Sequence, residues 1–456
     1  MTTRHSVLLK EEECRGCTNC VQNCPTRAIR VHEGKASIRE QLCIDCAECI
    51  RICEYHAKYT RTDSLSEISQ YRYPLVVVPP SFYGQFNDKH PVLIMEALAS
   101  LGFTEVFNAA RAAEALSVKT ARLIAESSDY YISSSCPVVV RLICKKYPEL
   151  LERLLPYRSP VELTAQQAYR QLLANEDTVE EDIGVFFITP CPAKLTSVYR
   201  GVREEKSFLD RALSADNMYE QVLSVLKQEG RESSAISADK NRVIPYRGLN
   251  WGCSGGEAEI LSGLDQKFTL SVSGIDRVQR VLEELVRENI SGVSYFELVS
   301  CPGGCSGGVL NVKNSYQARM NLEKLSSKFN PEEADLIAEE AEYDWQQLPV
   351  PEPEQVDRLD DSMEQALKKL DQLEEEKEIL PGLDCASCGA PDCETLAEDI
   401  VRGLASRTDC IFMLRQEIQN LAEQITSLTR ELPPVMSDNK QNNKQGDESN
   451  DRTGDN

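Results

Sequence analysis

The 456-residue sequence has no run approaching the ~20 apolar residues that span a bilayer, which excludes an evident membrane helix. Residues 1–6 carry no apolar stretch of the secretory kind, so a reducing cytoplasm is the expected compartment. There is no G-x-G-x-x-G turn and no P-loop, and nucleotides are therefore not implied. Histidine is scarce: His5, His32, His56 and His90 are scattered and are not expected to be ligands. Basic charge is also in deficit, with 50 Lys and Arg against 73 Asp and Glu. The net charge of −23 argues against binding a nucleic-acid backbone. Residues 331–380 alone hold 18 acids against 4 bases, which is the composition of a solvated acidic linker.

Cysteine, in contrast, is abundant: the chain has 18, and their spacings read as metal sites instead of a disulfide framework. Cys14, Cys17, Cys20 and Cys24 follow C-x2-C-x2-C-x3-C, and Cys43, Cys46, Cys49 and Cys53 repeat it. In this run the fourth cysteine serves the neighbouring cluster. The expected sets are Cys14, Cys17, Cys20 with Cys53, and Cys43, Cys46, Cys49 with Cys24. Zinc fits a duplicated triple poorly. The region resembles bacterial two-cluster ferredoxins, which implies an electron conduit, although Glu54 replaces the proline expected after Cys53.

After a polar linker at 61–72, strands and helices alternate. Leu75 to Val78, Glu105 to Phe107, Tyr130 to Ile132, Val185 to Ile188 and Val293 to Val299 read as strands. Val92 to Leu101 and Ala112 to Glu126 read as helices, with surface loops at 175–182 and 228–241. Cys136, Cys191, and Cys301 with Cys305 each follow a strand. Such strand ends form the ligand crevice of open α/β sheets. Four thiolates gathered there make a soft site suited to iron–sulfur clusters.

The motifs S-S-S-C-P, T-P-C-P-A-K and S-C-P-G-G-C-S-G-G, in this order, are similar to the catalytic domain of FeFe hydrogenases. The resemblance implies an H-cluster, a 4Fe-4S cubane joined to a two-iron azadithiolate centre with carbon monoxide and cyanide. Its ligands would be Cys136, Cys191, Cys301 and Cys305, the last bridging. Lys194 would face a cyanide, Glu297 would open the third motif, and Gly303, Gly304, Gly307 and Gly308 would let backbone approach the cluster. Departures are plain: Ser135 stands where efficient members carry a proton-passing cysteine, Thr189 and Val299 replace methionines, and Ser197 replaces a glutamate. This pattern resembles the sensory branch, with slow turnover expected. Arg141, Tyr147-Pro148-Glu149 and Ser159-Pro160 look like that branch too.

Cys385, Cys388, Cys393 and Cys410 resemble the ligands of a small 4Fe-4S domain, though zinc also suits C-x2-C-x4-C. Leu414, Ile418, Leu421, Ile425, Leu428 and Leu432 then form a heptad seam, which reads as a coiled coil or a helix folded back on its domain. Cys144 is expected in the core, and Cys253 in a glycine-rich turn.

The expected architecture is an α/β catalytic domain of two open sheets of Rossmann-like units meeting at the cluster. A ferredoxin-like α+β domain precedes it, and a small helical Fe-S domain follows. The domains run 1–60 (two 4Fe-4S clusters), 74–345 (H-cluster), 346–378 (acidic linker and helix), 379–411 (4Fe-4S), 412–432 (coiled coil) and 433–456 (disordered tail). Expected partners are dihydrogen, protons, a redox protein such as ferredoxin, a signalling phosphatase or kinase, or a second copy. No nucleic acid or membrane is expected. An alternative keeps the cubanes without the two-iron centre, as an electron-transfer or cluster-scaffold protein.

Overall fold

The repeat in the cysteine arrays is written into the backbone. In the computed structural model, which describes residues 5–87, 89–174, 177–201, 206–228, 246–265, 267–327, 343–354 and 358–430, the chain opens with β1 (Val7–Leu9) and α1 (Asn19–Gln22). The strands β2 (Ile29–His32) and β3 (Lys35–Ile38), the helix α2 (Glu48–Arg51) and β4 (Lys58–Thr60) follow. β1 pairs antiparallel with β4, and β2 with β3. Gly16 and Asp45 hold equivalent places in the two arrays, as do Thr18 and Ala47, and Arg27 and His56. All six have positive φ, between 50° and 64°. This left-handed conformation costs non-glycine residues energy, and it curls each C-x2-C loop inward.

Residues 61–72 are more than a linker. A 3-10 turn spans Leu65–Gln70, and Asp63 accepts hydrogen bonds from the Tyr199 hydroxyl at 2.5 Å and the Ala212 N–H at 2.7 Å.

The α/β part begins with β5 (Tyr73–Val78), α3 (Pro80–Tyr83), α4 (Pro91–Ser100), β6 (Glu105–Asn108), α5 (Ala109–Glu126) and β7 (Tyr131–Ile132). It continues through α6 (Pro137–Lys146), α7 (Pro160–Leu173), β8 (Ile183–Thr189), α8 (Pro192–Arg200), β9 (Arg211–Ser214) and α9 (Ala215–Gln228). Then come α10 (Tyr246–Leu249), α11 (Gly256–Asp265), β10 (Thr269–Ser273), α12 (Ile275–Val286), β11 (Tyr295–Val299) and α13 (Ser315–Ser326).

Two parallel sheets result, ordered β6-β5-β8-β9 and β10-β11-β7. β5 and β8 are central and buried on both faces, as their unbroken apolar runs require. Burying each of Phe186, Phe187 and Phe296 contributes roughly 1.5–3 kcal/mol. β7 and β11 belong to one sheet and β8 to the other, so the cysteine-bearing ends come from both sheets.

The chain past Trp345 stays strapped to this body. Trp345 packs edge-on against Tyr157 and Tyr343. The N–H groups of Leu348 and Glu354 donate to the carbonyls of Pro156 and Cys144.

A second unit contains α14 (Met363–Ile379), α15 (Cys393–Val401) and α16 (Ile411–Arg430). Arg407 makes paired hydrogen bonds to Glu376 within it, at 2.8 and 2.7 Å. The seam residues Leu414, Ile418, Leu421, Ile425 and Leu428 are exposed. Leu432 and the segment expected as a disordered tail, 433–456, lie outside the described residues, as does most of the expected loop at 228–241. No helix among the described residues is long and apolar enough to cross a membrane.

Candidate metal centres

Two of the Cys-Pro motifs place their cysteines at the mouths of helices. Cys136 is the N-cap of α6 and Cys191 of α8, with Pro137 and Pro192 at the first helical position. Proline suits that position because its φ is preset and no N–H is needed there. A helix N-terminus also favours a thiolate. Thr189 braces the second turn, its hydroxyl donating to the Cys191 carbonyl at 2.9 Å.

The third motif follows β11. Gly303 and Gly304 have φ of 82° and 83°. A Cβ at Gly304 would fall 2.5 Å from the Ser254 nitrogen, and one at Gly307 2.0 Å from the Pro302 oxygen. Gly304 and Gly307 are thus required by close packing against the protein's own loops.

The four cysteines share one electrostatic environment. Burial pushes the Cys191 thiol up to about 12, with Lys194 pulling it down and Cys305 and Cys136 pushing it further up. Cys301 is raised well above the usual thiol range, by burial and then by Cys191 and Cys136. Cys305 is raised by burial, opposed by Lys194. Lys194 donates from Nζ to the Ser135 carbonyl at 3.3 Å. Lys194 and Ser135 also line one cavity with Ser134, Tyr157, Arg158 and Ser159.

Glu297 is buried, and its carboxylate accepts N–H bonds from Gly255 at 2.7 Å and Ala258 at 2.8 Å. It is therefore a brace for the loop entering α11. Sequence reasoning missed its neighbour, Glu257, which is fully enclosed. Glu257 accepts from the Ser133 hydroxyl at 2.9 Å and from the Tyr295 hydroxyl. Burial, followed by the charge of Glu297, pushes its carboxyl up to about 8. Both carboxylates lie in electrostatic reach of Cys305. The Ser135 N–H donates to the Ser133 hydroxyl at 3.4 Å, which joins this network to the first motif. Ser197 turns its hydroxyl back to the Ala193 carbonyl.

Cys144 is buried in the core, as its apolar surroundings suggest. Cys253 is buried as well, 3.7 Å from the Ser306 hydroxyl and in electrostatic reach of Cys305.

In the N-terminal region the eight cysteines divide as the spacing implies. Cys14, Cys17, Cys20 and Cys53 line one hollow, and Cys24, Cys43, Cys46 and Cys49 line another. Backbone N–H groups of Ala28 and Ala36 aim at the sulfurs of Cys24 and Cys14. His5, not expected near a metal, is buried with its nitrogen, the Cys43 sulfur and an Asp45 oxygen all within 4.8 Å of one another. Asp45 is itself buried, paired with Arg141 at 3.1 Å and bonded by Thr196 at 2.7 Å. This network joins the array to α6 and α8, and Arg51 adds a bond to the Gly307 carbonyl. In the second unit Cys385, Cys388, Cys393 and Cys410 line a third hollow.

The donor sets fit iron–sulfur clusters. Thiols that burial raises well above their ordinary pKa, such as Cys43, Cys46 and Cys301, become stable thiolates when a cation binds them. Soft sulfur donors select iron–sulfur clusters. Lys58 is 3% exposed, and its Nζ has no hydrogen-bond partner among the described residues. Such a cation calls for an anion nearby.

The iron only hydrogenase large subunit, C-terminal domain, matches residues 72–309, just over half of the sequence. This chain belongs to the iron-only hydrogenase family. A 4Fe-4S dicluster domain matches residues 6–54 and an Fe-S cluster domain residues 380–412, one on each side of the hydrogenase domain. Iron–sulfur domains thus flank a domain with the expected α/β fold. Among solved structures, HydA(deltaEFG), described as revealing stepwise H-cluster assembly, overlaps with a TM-score of 0.42 at 16% identity, covering 61% of this chain and 90% of that one. A variant of FeFe-hydrogenase HydA1 from Chlamydomonas reinhardtii gives 0.43 at 16% identity, with the same coverage. No curated protein matches this chain in sequence.

Proposed function

We propose that this chain is a sensory FeFe hydrogenase of low turnover. It oxidises dihydrogen and reduces protons reversibly, and it reports dihydrogen or redox state to a partner. The observation that carries this reading is the gathering of Cys136, Cys191, Cys301 and Cys305, from the ends of two sheets, into one half-buried group in electrostatic reach of one another, beside Lys194.

These four cysteines would hold the H-cluster, which when bound supplies the redox-active iron pair at which dihydrogen is made or split. Lys194 offers a compact charge with three donors, suited to an anionic ligand. Its bond to Ser135 fixes the segment that enters Cys136. Ser135 can relay a proton through hydrogen bonds but releases one far less readily than a thiol of pKa ~8.5. Glu257, raised to about 8, keeps its proton near neutrality and can exchange it with Ser133 and Tyr295. A weakened hydroxyl route beside a buried acid suits slow, reversible exchange. Gly303, Gly304 and Gly307 shape the loop that presents Cys301 and Cys305.

Electrons would pass through cubanes held by Cys14, Cys17, Cys20 and Cys53, and by Cys24, Cys43, Cys46 and Cys49, to a redox protein such as ferredoxin. A further cubane would sit on Cys385, Cys388, Cys393 and Cys410. The exposed apolar seam on α16 suits a homodimer or a signalling phosphatase or kinase.

A second reading retains the cubanes alone, and the hydroxyls of Ser135 and Thr189 at positions flanking the cluster favour it. Iron analysis after co-expression with maturation proteins separates the two. About 18 irons per chain support the hydrogenase, and about 16 support a cubane-only carrier.

A further inference from the structure

Lys58 is a cation in an unusual place. It opens β4, pairs with Leu9 of β1, and is 3% exposed. Among the described residues its Nζ has no hydrogen-bond partner. It lines the hollow of Cys14, Cys17, Cys20 and Cys53. Its charge acts on Cys20 of that set and also on Cys49 of the other, in each case as the largest influence opposing burial.

An isolated ammonium in a protein interior is too costly to persist without an opposing charge. The carboxylates nearest in sequence do not supply one: Glu54 is exposed, and Asp63 is bonded to Tyr199 and Ala212. The lysine shares its hollow with the thiols of one array, and its charge also reaches Cys49 of the other. Because it hydrogen-bonds to neither, it acts as a point charge felt on two sides.

We propose that Lys58 is a shared tuning charge that raises the reduction potentials of both N-terminal cubanes together, keeping them close to each other. The proposal rests on the assignment of a cubane to each cysteine set. Adding an electron makes a thiolate-bound cubane more negative, so a fixed positive charge within electrostatic reach of two of them stabilises both reduced states. Charge near a cluster is among the factors that set its potential. Matched potentials let an electron cross between the cubanes with little change in energy, in either direction, as a reversible enzyme requires.

The test is a redox titration of the full chain, monitored by electron paramagnetic resonance, for the wild type and Lys58→Met. Both N-terminal midpoints should fall in the variant. A tenfold weakening of each reduction equilibrium corresponds to ~59 mV for one electron. Lys58→Arg should restore most of the shift. Unmoved midpoints, or movement of one alone, overturn the proposal. Should the Met variant lose iron, Lys58→Gln is titrated in its place under the same criteria. A wild-type chain without two N-terminal cubane signals overturns the cluster assignment, and the proposal with it. Cubanes present with unmoved midpoints overturn only the role of Lys58.

Discussion

Lys194 Nζ donates to the carbonyl oxygen of Ser135 across 3.3 Å, tying the second cysteine motif to the first. The ammonium lowers the thiol pKa of both Cys191 and Cys305, so one side chain serves cysteines on two sheets. Replacing it with methionine keeps the length and removes charge and donor. A charge-assisted hydrogen bond contributes about 1.5–3 kcal/mol. Dye-coupled hydrogen uptake by Lys194→Met should therefore fall roughly 10- to 100-fold, while the cubane content of the N-terminal domain stays unchanged. Full uptake in this variant would remove Lys194 from the site.

Ser135 marks the expected weak point of proton exchange. Ser135→Cys supplies a thiol of free pKa ~8.5, far more acidic than a hydroxyl, at the same position, and positioned acid–base groups contribute roughly 10²–10⁴-fold. Hydrogen production by this variant should rise by about 10-fold or more. An unchanged rate would mean that proton delivery does not limit turnover.

Glu257 gives a pH dependence with a definite sign. An unfolded glutamate titrates near ~4.3, and burial raises the folded value to about 8. The folded state therefore binds the proton more tightly. The stability from this group is full below ~4.3 and is lost as pH rises through about 8. Thermal melts across this window should show the wild type declining faster than Glu257→Gln, which cannot ionise. Parallel curves would show that the buried acid does not take up a proton on folding as described.

Gly304 tests the loop that carries Cys301 and Cys305. Its φ of 83° is unfavourable for any L side chain, and a Cβ would meet the Ser254 nitrogen at 2.5 Å. Gly304→Ala should destabilise the chain by about 2 kcal/mol or more, seen as a lower urea midpoint.

The cysteine spacing made much of this arrangement legible. It specified which thiols line which N-terminal hollow, because a C-x2-C loop has few ways to turn. The apolar runs at 75–78 and 185–188 marked the central strands, and Cys-Pro marked two helix starts. The third strand begins at Tyr295 instead of Val293, just beyond Gly292 with its φ of 76°.

Single charged residues buried by distant partners were not legible. Asp45 is surrounded by apolar residues and cysteines in sequence, yet its ion partner is Arg141. Glu257 looks like an ordinary first-turn acid of a helix, and only Tyr295 and Ser133 reveal its enclosure. His5 and Lys58 carried no local pattern at all. For Asp45, an acid inside a cysteine array was the available signal.

The most direct test of the account is an infrared spectrum of the chain matured with the enzymes that build the two-iron centre. Bands of metal-bound carbon monoxide and cyanide that shift under dihydrogen, and that vanish in Cys305→Ser, are the predicted result. A fully iron-loaded protein with no such bands would contradict it.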